Sequence, residues 1–313
     1  MTFQKNAIPT FDPLKLKIKL LSTGGDRFQS FFTPASDVFH INRIEDYVRF
    51  IKVPTETDVH PFRLTLFNFI FQTKGHSLRT KGLNTYEFGE NTFFFVPAYE
   101  ITTHLSGSQD AEGYYCHFNI DLLTSDYRIK DLLADFPFLN FNCFPLITIT
   151  DEVKDLIMPL LQRLEMEYKA GEKCRFDILR TYLITLFTEL KPFVQSVSSL
   201  SNNSAYQITE KYKKALAQYI YEKQNISGYA EMLGVTPNHL NKCVKSVTGK
   251  SAHDLLNEML LLETKVLLTQ TSLSVSEIAY RMGGNELSNF VRFFKSKTGM
   301  KPGEYRKMVN PEL

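Results

Sequence analysis

The chain has 313 residues, 43% apolar and 22% charged, with 36 Lys+Arg against 34 Asp+Glu. That is enough for two domains with separate cores and argues against a disordered chain. No stretch approaches the roughly 18 apolar residues of a membrane span, and "MTFQKNAIPTFDPLK" has no apolar segment behind a basic start, so a cytoplasmic protein away from membranes is expected.

Cys116, Cys143, Cys174 and Cys243 are dispersed without a CxxC pair, which points to reduced, buried thiols rather than a disulfide framework or a zinc finger. The small net charge hides an asymmetry. From Tyr206 onward there are 15 Lys+Arg against 10 Asp+Glu, leaving 21 against 24 for the first 205 residues. A basic C-terminal third permits attraction to phosphate.

Residues 1–150 read as a β-rich domain. "RLTLFNFIF" and "NTFFFVP" are aromatic and branched, turn signals flank them, and "KGLNTYEFGE" reads as a hairpin turn. Twenty of the 26 phenylalanines precede residue 151, a density that suits a small barrel or sandwich with a filled or ligand-holding interior. His40, His60, His76, His104 and His117 form no H-x-H pair, so no metal centre is expected, and no other cofactor signal is present. Neither a G-x-x-x-x-G-K-[ST] phosphate loop nor a G-x-S-x-G elbow occurs, so no catalytic residues are assigned.

The apolar period becomes helical over residues 151–195, with Thr150 as an N-cap and Ala170-Gly171 as a stop. In the second of these helices Phe176, Leu179, Leu183, Leu186 and Leu190 occupy heptad a and d positions, which suit either a dimer seam or packing within the domain. Residues 196–206, "SVSSLSNNSAY", read as a linker. Residues 207–313 read as helical throughout.

This last segment contains a duplication at a spacing of about 50 residues, which marks one supersecondary unit used twice. "SGYAEMLGVTPNHLNKCVKSVTG" aligns with "SEIAYRMGGNELSNFVRFFKSKTG". Ser227 pairs with Ser276, Ala230 with Ala279, Gly234 with Gly283, Leu240 with Phe290 and Val244 with Phe294. Each copy reads as a helix-turn-helix: a serine cap, an alanine where helices cross, a glycine at the turn, then a second helix. In the first copy Thr236 and Pro237 open that helix, and Leu240, Val244 and Val247 form its inner stripe. Asn238, Asn241, Lys242 and Lys245 share the outer face with His239 beside them, and Ser288, Asn289, Arg292 and Lys295 do so in the second copy. Such side chains suit hydrogen bonds to base edges in a major groove. Lys245, Lys250, Lys295 and Lys297 suit phosphate. "SAHDLLNEMLLLETKVLLTQT" between the copies reads as one long helix joining them.

On the residues "ISGYAEMLGVTPNHLNKCVK", "NEMLLLETKVLL" and "VSEIAYRMGG....SNFVRFFKSKTGMKPGEYR", residues 207–309 resemble the DNA-binding domain of the AraC/XylS family of bacterial transcription factors. The resemblance implies base-facing roles for Asn238, Asn241, Lys242, Ser288, Asn289 and Arg292. It also implies an α+β chain: an N-terminal cupin-like antiparallel β-barrel with a helical dimerisation segment, then an all-α double helix-turn-helix domain. Expected partners are double-stranded DNA, RNA polymerase, a second copy of the chain and a small-molecule effector. The alternative function is a cupin-type metal enzyme with an appended DNA-binding domain. The sequence departs from the family at Gly284, where an aromatic is usual, and at Met259 and Thr264, where arginine and alanine are frequent. Gly284 is expected to soften the second motif, with Leu287 or Phe293 filling the space.

Overall fold

The computed structural model describes residues 37–46, 60–124, 128–140, 144–194, 204–283 and 286–309. The chain divides after Ser196 into two compact units. No helix among the described residues is long and apolar enough to cross a membrane.

Among the described residues the first unit has nine strands: β1 Phe39–Arg43, β2 Phe62–Arg63, β3 Phe67–Lys74, β4 Ser77–Lys81, β5 Asn84–Phe88, β6 Thr92–Val96, β7 Ile101–Gly107, β8 Glu112–Phe118 and β9 Leu146–Thr148. They form one sheet of order β1-β8-β3-β6-β9 and another of order β2-β7-β4-β5, every pairing antiparallel. Eight strands in the orders 1-8-3-6 and 2-7-4-5 make a jelly roll, the double-sheet architecture that cupins share. The expected hairpin in "KGLNTYEFGE" is the β4–β5 turn.

Side chains alternate along each strand, so the larger sheet has two distinct faces. One carries Phe39, Ile41, Phe69, Phe71, Phe93, Phe95, Tyr114, Cys116 and Phe118, all 0–1% exposed. A helical pair lies over this face: α2 Asp151–Lys169 and α3 Phe176–Leu190, preceded in the chain by the short α1 Ile129–Asp135. Phe187 alone meets the rings of Phe69, Phe95, Phe118, Phe136 and Phe138 at 5.4–6.4 Å between centroids. Most of the described phenylalanines of this unit therefore serve the layer between sheet and helices. Among the described residues a smaller buried cluster of Ile70, Phe88, Phe94 and Val96 lies between the two sheets, where Phe88 stacks on Phe94 at 5.1 Å.

This layer decides the heptad question. Leu179, Leu183, Leu186 and Leu190 are fully buried against their own domain, and only Phe176 is exposed. Burying each leucine is worth about 1.5–3 kcal/mol, and the same surfaces are not available as a dimer seam. Charge fixes the helix ends: Glu165 on α2 accepts from Arg43 Nε (2.9 Å) on β1, and Glu167 binds Arg163 and Arg175, tying α2 to the start of α3. These bonds to Arg175 and Arg163 hold the Glu167 carboxyl at a pKa of about 2.

The second unit is all helix: α4 Ser204–Tyr219, α5 Ile226–Met232, α6 Pro237–Thr248, α7 Ala252–Gln270, α8 Val275–Arg281, α9 Leu287–Thr298 and α10 Pro302–Val309. The last residues of the expected linker thus begin α4. The expected long helix is α7, whose 19 residues give it a length of about 28 Å. Its start carries a capping box, with Ser251 and Asp254 each bonding the other's backbone N–H. Along its length it holds both halves: Tyr212 Oη of α4 donates to the Ala252 carbonyl at 2.9 Å, and Arg306 Nε of α10 donates to the Leu268 carbonyl at 3.0 Å.

Candidate nucleic-acid interface

The duplication seen in sequence recurs in the turn glycines and in the bonds that end each second helix. In each copy a turn glycine adopts a left-handed backbone, Gly234 at φ 68° and Gly283 at φ 69°, a region that favours glycine because it has no Cβ. The second helix of each copy ends on another, Gly249 and Gly299, whose N–H groups donate to the carbonyls of Lys245 and Lys295. Thr248 and Thr298 bond the carbonyls four residues back at 2.8 and 2.9 Å, and Ser246 and Ser296 those three back at 2.8 Å. The repeated Lys-Ser-x-Thr-Gly tail is therefore a helix stop made twice.

Two details of the capping differ from the sequence reading. The first helices are capped by Asn225, which accepts from Gly228 N at 2.8 Å, and by Ser274, which forms a capping box with Glu277. Ser227 and Ser276 lie just inside those helices. Thr236 does cap α6, with Pro237 at its first position. The crossing alanines Ala230 and Ala279 are buried, and Leu240, Val244, Phe290 and Phe294 form the inner stripes, while Val247 is half-buried. Gln224, in the connection between α4 and α5, donates to the Arg281 carbonyl at the end of α8 (3.2 Å), linking the copies directly.

Among the proposed base readers, Asn238, His239 and Lys242 on α6 and Ser288, Asn289 and Arg292 on α9 are exposed, as are Lys245, Lys250, Lys295 and Lys297. Asn241 differs. It is half-buried, and its Oδ1 accepts the Ala252 backbone N–H at 3.0 Å. A bidentate bond to adenine needs both atoms of the amide, and here the oxygen holds the first N–H of α7, a bond that ties α6 to α7. Lys250 is also engaged, its Nζ 2.6 Å from Glu258 Oε1. On α9 a chain of side chains lies along the outer face: Arg292 donates to Asn289 Oδ1, and Asn289 Nδ2 donates to Glu286 Oε2 at 3.1 Å. Glu286, not singled out in the sequence, thus sits at the start of α9 at the end of this chain of side chains.

Gly284 lies outside the described residues. Its expected fillers behave differently from each other, since Leu287 is exposed and Phe293 is half-buried. Met259 and Thr264 are both buried in α7, and Thr264 Oγ1 bonds the Leu260 carbonyl at 2.7 Å.

Residues 229–308 match the protein family described as "Helix-turn-helix domain". They are a helix-turn-helix domain. Its doubled form, two copies joined by α7, is the arrangement that the resemblance to AraC/XylS regulators implies. Similar proteins include the HTH-type transcriptional activator RhaR of Enterobacter sp. strain 638, 23% identical over 150 residues that cover 48% of this chain and 53% of that protein. The HTH-type transcriptional regulator YobQ of Bacillus subtilis is 30% identical over 88 residues, covering 28% and 36%. The transcriptional activator RhrA of Rhizobium meliloti is 26% identical over 175 residues, covering 54% and 51%. The chain spans about half, or less, of the length of the curated relatives it matches. ToxT from Vibrio cholerae aligns over 87% of this chain and 99% of its own, at 15% identity and a TM-score of 0.39.

Proposed function

We propose that the protein is a sequence-specific DNA-binding regulator of transcription, resident in the cytoplasm, with no catalysis assigned to it. The observation that supports this best is the pair of exposed polar faces on α6 and α9, matched in position and fixed to the two ends of one rigid helix. One turn of duplex, about 34 Å, separates successive major grooves on one side of DNA. Helices joined by α7 are suited to enter two of them.

In this reading Asn238, His239 and Lys242 on α6, and Ser288, Asn289 and Arg292 on α9, contact base edges. Lys245, Lys295 and Lys297 supply salt-dependent attraction to phosphate. Asn241 is withdrawn from the base-reading set, and Lys250 joins the phosphate contacts only on leaving Glu258. The jelly-roll unit senses a small-molecule effector or supports a homodimer. Since the heptad leucines are buried, Leu156, Met166 and Phe176, which stay exposed on α2 and α3, are the apolar side chains left for that contact. An effector that prefers one domain arrangement shifts promoter occupancy or contact with RNA polymerase by that preference and no more.

Selection of bound sequences from a random duplex pool tests the reading. A recovered motif of two half-sites about one helical turn apart is expected. Recovery of no motif, with binding of equal strength to all duplexes, refutes it.

A further inference from the structure

Arg79 presents a charge problem inside the jelly roll. It sits on β4 opposite Tyr86 of β5 and His104 of β7. Phe88, two residues beyond Tyr86 and so on the same face of the small sheet, stacks on Phe94 of the larger one. That face therefore points between the sheets, and Arg79 points there with it. From the opposite sheet, Tyr115 of β8 is near enough to act electrostatically on the guanidinium. Among the described strand positions whose side chains face this space none is aspartate or glutamate.

An arginine in such a place normally has a carboxylate beside it, because an uncompensated buried charge is costly. Here burial lowers its pKa to about 10, which still leaves it charged at neutral pH, and its Nε has no hydrogen-bond partner. Arg79, Tyr86, His104 and Tyr115 nonetheless keep part of their surface accessible, whereas Phe94, Phe88 and His117 nearby are 0–5% exposed. The arginine and its ring neighbours are thus the part of this face that is not closed off from solvent, unlike the apolar end. Burial, and next the Arg79 charge, lower the pKa of His104 to about 4, so His104 is neutral. Two cations then remain on this face of β4: the buried Lys81, which has a partner of its own, and Arg79, whose Nε has none.

We propose that Arg79 binds the carboxylate of a small organic monoanion lodged between the two sheets, with the apolar body of that molecule against Tyr86 and Tyr115. The planar guanidinium matches a carboxylate in bidentate geometry, and the rings favour an aromatic or short aliphatic body over a bare ion. This rests on the reading of the jelly-roll unit as an effector sensor and names the chemistry of what it senses.

The test uses the full chain and its Arg79→Met variant. Thermal unfolding is followed alone and with millimolar benzoate, phenylacetate, 3-phenylpropionate or hexanoate, each beside its neutral amide, and with inorganic phosphate. Without ligand, Arg79→Met is expected to melt above the wild type, because a buried charge without a partner has been removed. At least one carboxylate is expected to raise the wild-type Tm by about 2–5 °C, with no such effect from its amide or on the variant. Arg79→Met melting below the wild type, no carboxylate acting on the wild type, or equal shifts in both proteins would overturn the assignment. Stabilisation by phosphate alone would replace the carboxylate by an inorganic anion and overturn it as well. Binding of both proteins to a selected duplex is measured in parallel. Loss of duplex binding in both would count against the regulator reading and leave the Arg79 result to stand by its own melting data.

Discussion

Replacement of Asn241 by alanine separates a clamp from a base reader. Asn241 Oδ1 accepts the N–H of Ala252, the first residue of α7, and Ala252 is 1% exposed. Removing the acceptor leaves a donor that the helix itself does not satisfy, because the first N–H groups of a helix have no carbonyl behind them. A buried N–H left without a partner costs about 1–3 kcal/mol. The Ser251–Asp254 capping box of the same first turn remains intact, which places the cost in the lower part of that range, near 1–1.5 kcal/mol, like loss of a helix cap. For a domain of this size that is a fall in Tm of roughly 5–10 °C. Calorimetry of the wild type and Asn241→Ala, with competition binding of both to a selected duplex and to its single-base variants, provides the measurement. The expected result is a lower Tm with an unchanged ranking of bases. An unchanged Tm together with lost discrimination at one base pair would show that Asn241 reads DNA and that its bond to Ala252 is dispensable.

Arg292→Ala is expected to lose about 1–3 kcal/mol of discrimination at one position of the site. Lys295→Ala should instead weaken all sequences alike and reduce the salt slope of binding by about one; equal losses on selected and random duplex for both variants would contradict the split. Leu183→Ala, which empties a fully buried site in the layer between α3 and the large sheet, should cost about 2–5 kcal/mol in unfolding at every protein concentration. A change confined to the dimerisation constant by sedimentation would restore the heptad seam. Glu167 has a depressed pKa in the folded chain, so its contribution is complete above its ordinary value of 4.5 and is lost as pH falls toward 2. Acid titration of Glu167→Gln should lack that part of the wild-type stability slope, and superimposable profiles would refute the assignment.

The second unit was legible because its signals are local and occur twice. A proline after a threonine in the first copy, a glycine at each turn and an apolar side chain every third or fourth position act within a few residues of themselves, and the duplication confirms the glycines and the apolar spacing in a second context. What sequence could not supply was the partner of each polar group. Asn238 and Asn241 are the same residue type on neighbouring positions of one helix, yet one faces solvent and the other clamps the next helix, because the chain after Gly249 returns toward α6 and brings Ala252 within reach of Asn241. The caps moved by two residues for a similar reason: Ser227 and Ser276 recur in both copies, but Asn225 and Ser274 are the residues whose backbones are extended and whose side chains meet the free N–H groups.

In the first unit the limit lies in register rather than in local chemistry. Aromatic alternation reveals strands but not which sheet a strand joins, and a shift of one residue reverses the face of every side chain. Only once β4 is paired with β5 and β7, and β3 with β6 and β8, do the phenylalanines divide into a majority under the helices and a few between the sheets. That division explains how a domain so rich in phenylalanine keeps polar groups in its interior. The aromatic layer between sheet and helices carries the packing energy, and the space between the sheets is relieved of that task. Arg79 can then be tolerated there, as a charge whose cost the fold bears because the stabilising layer lies elsewhere.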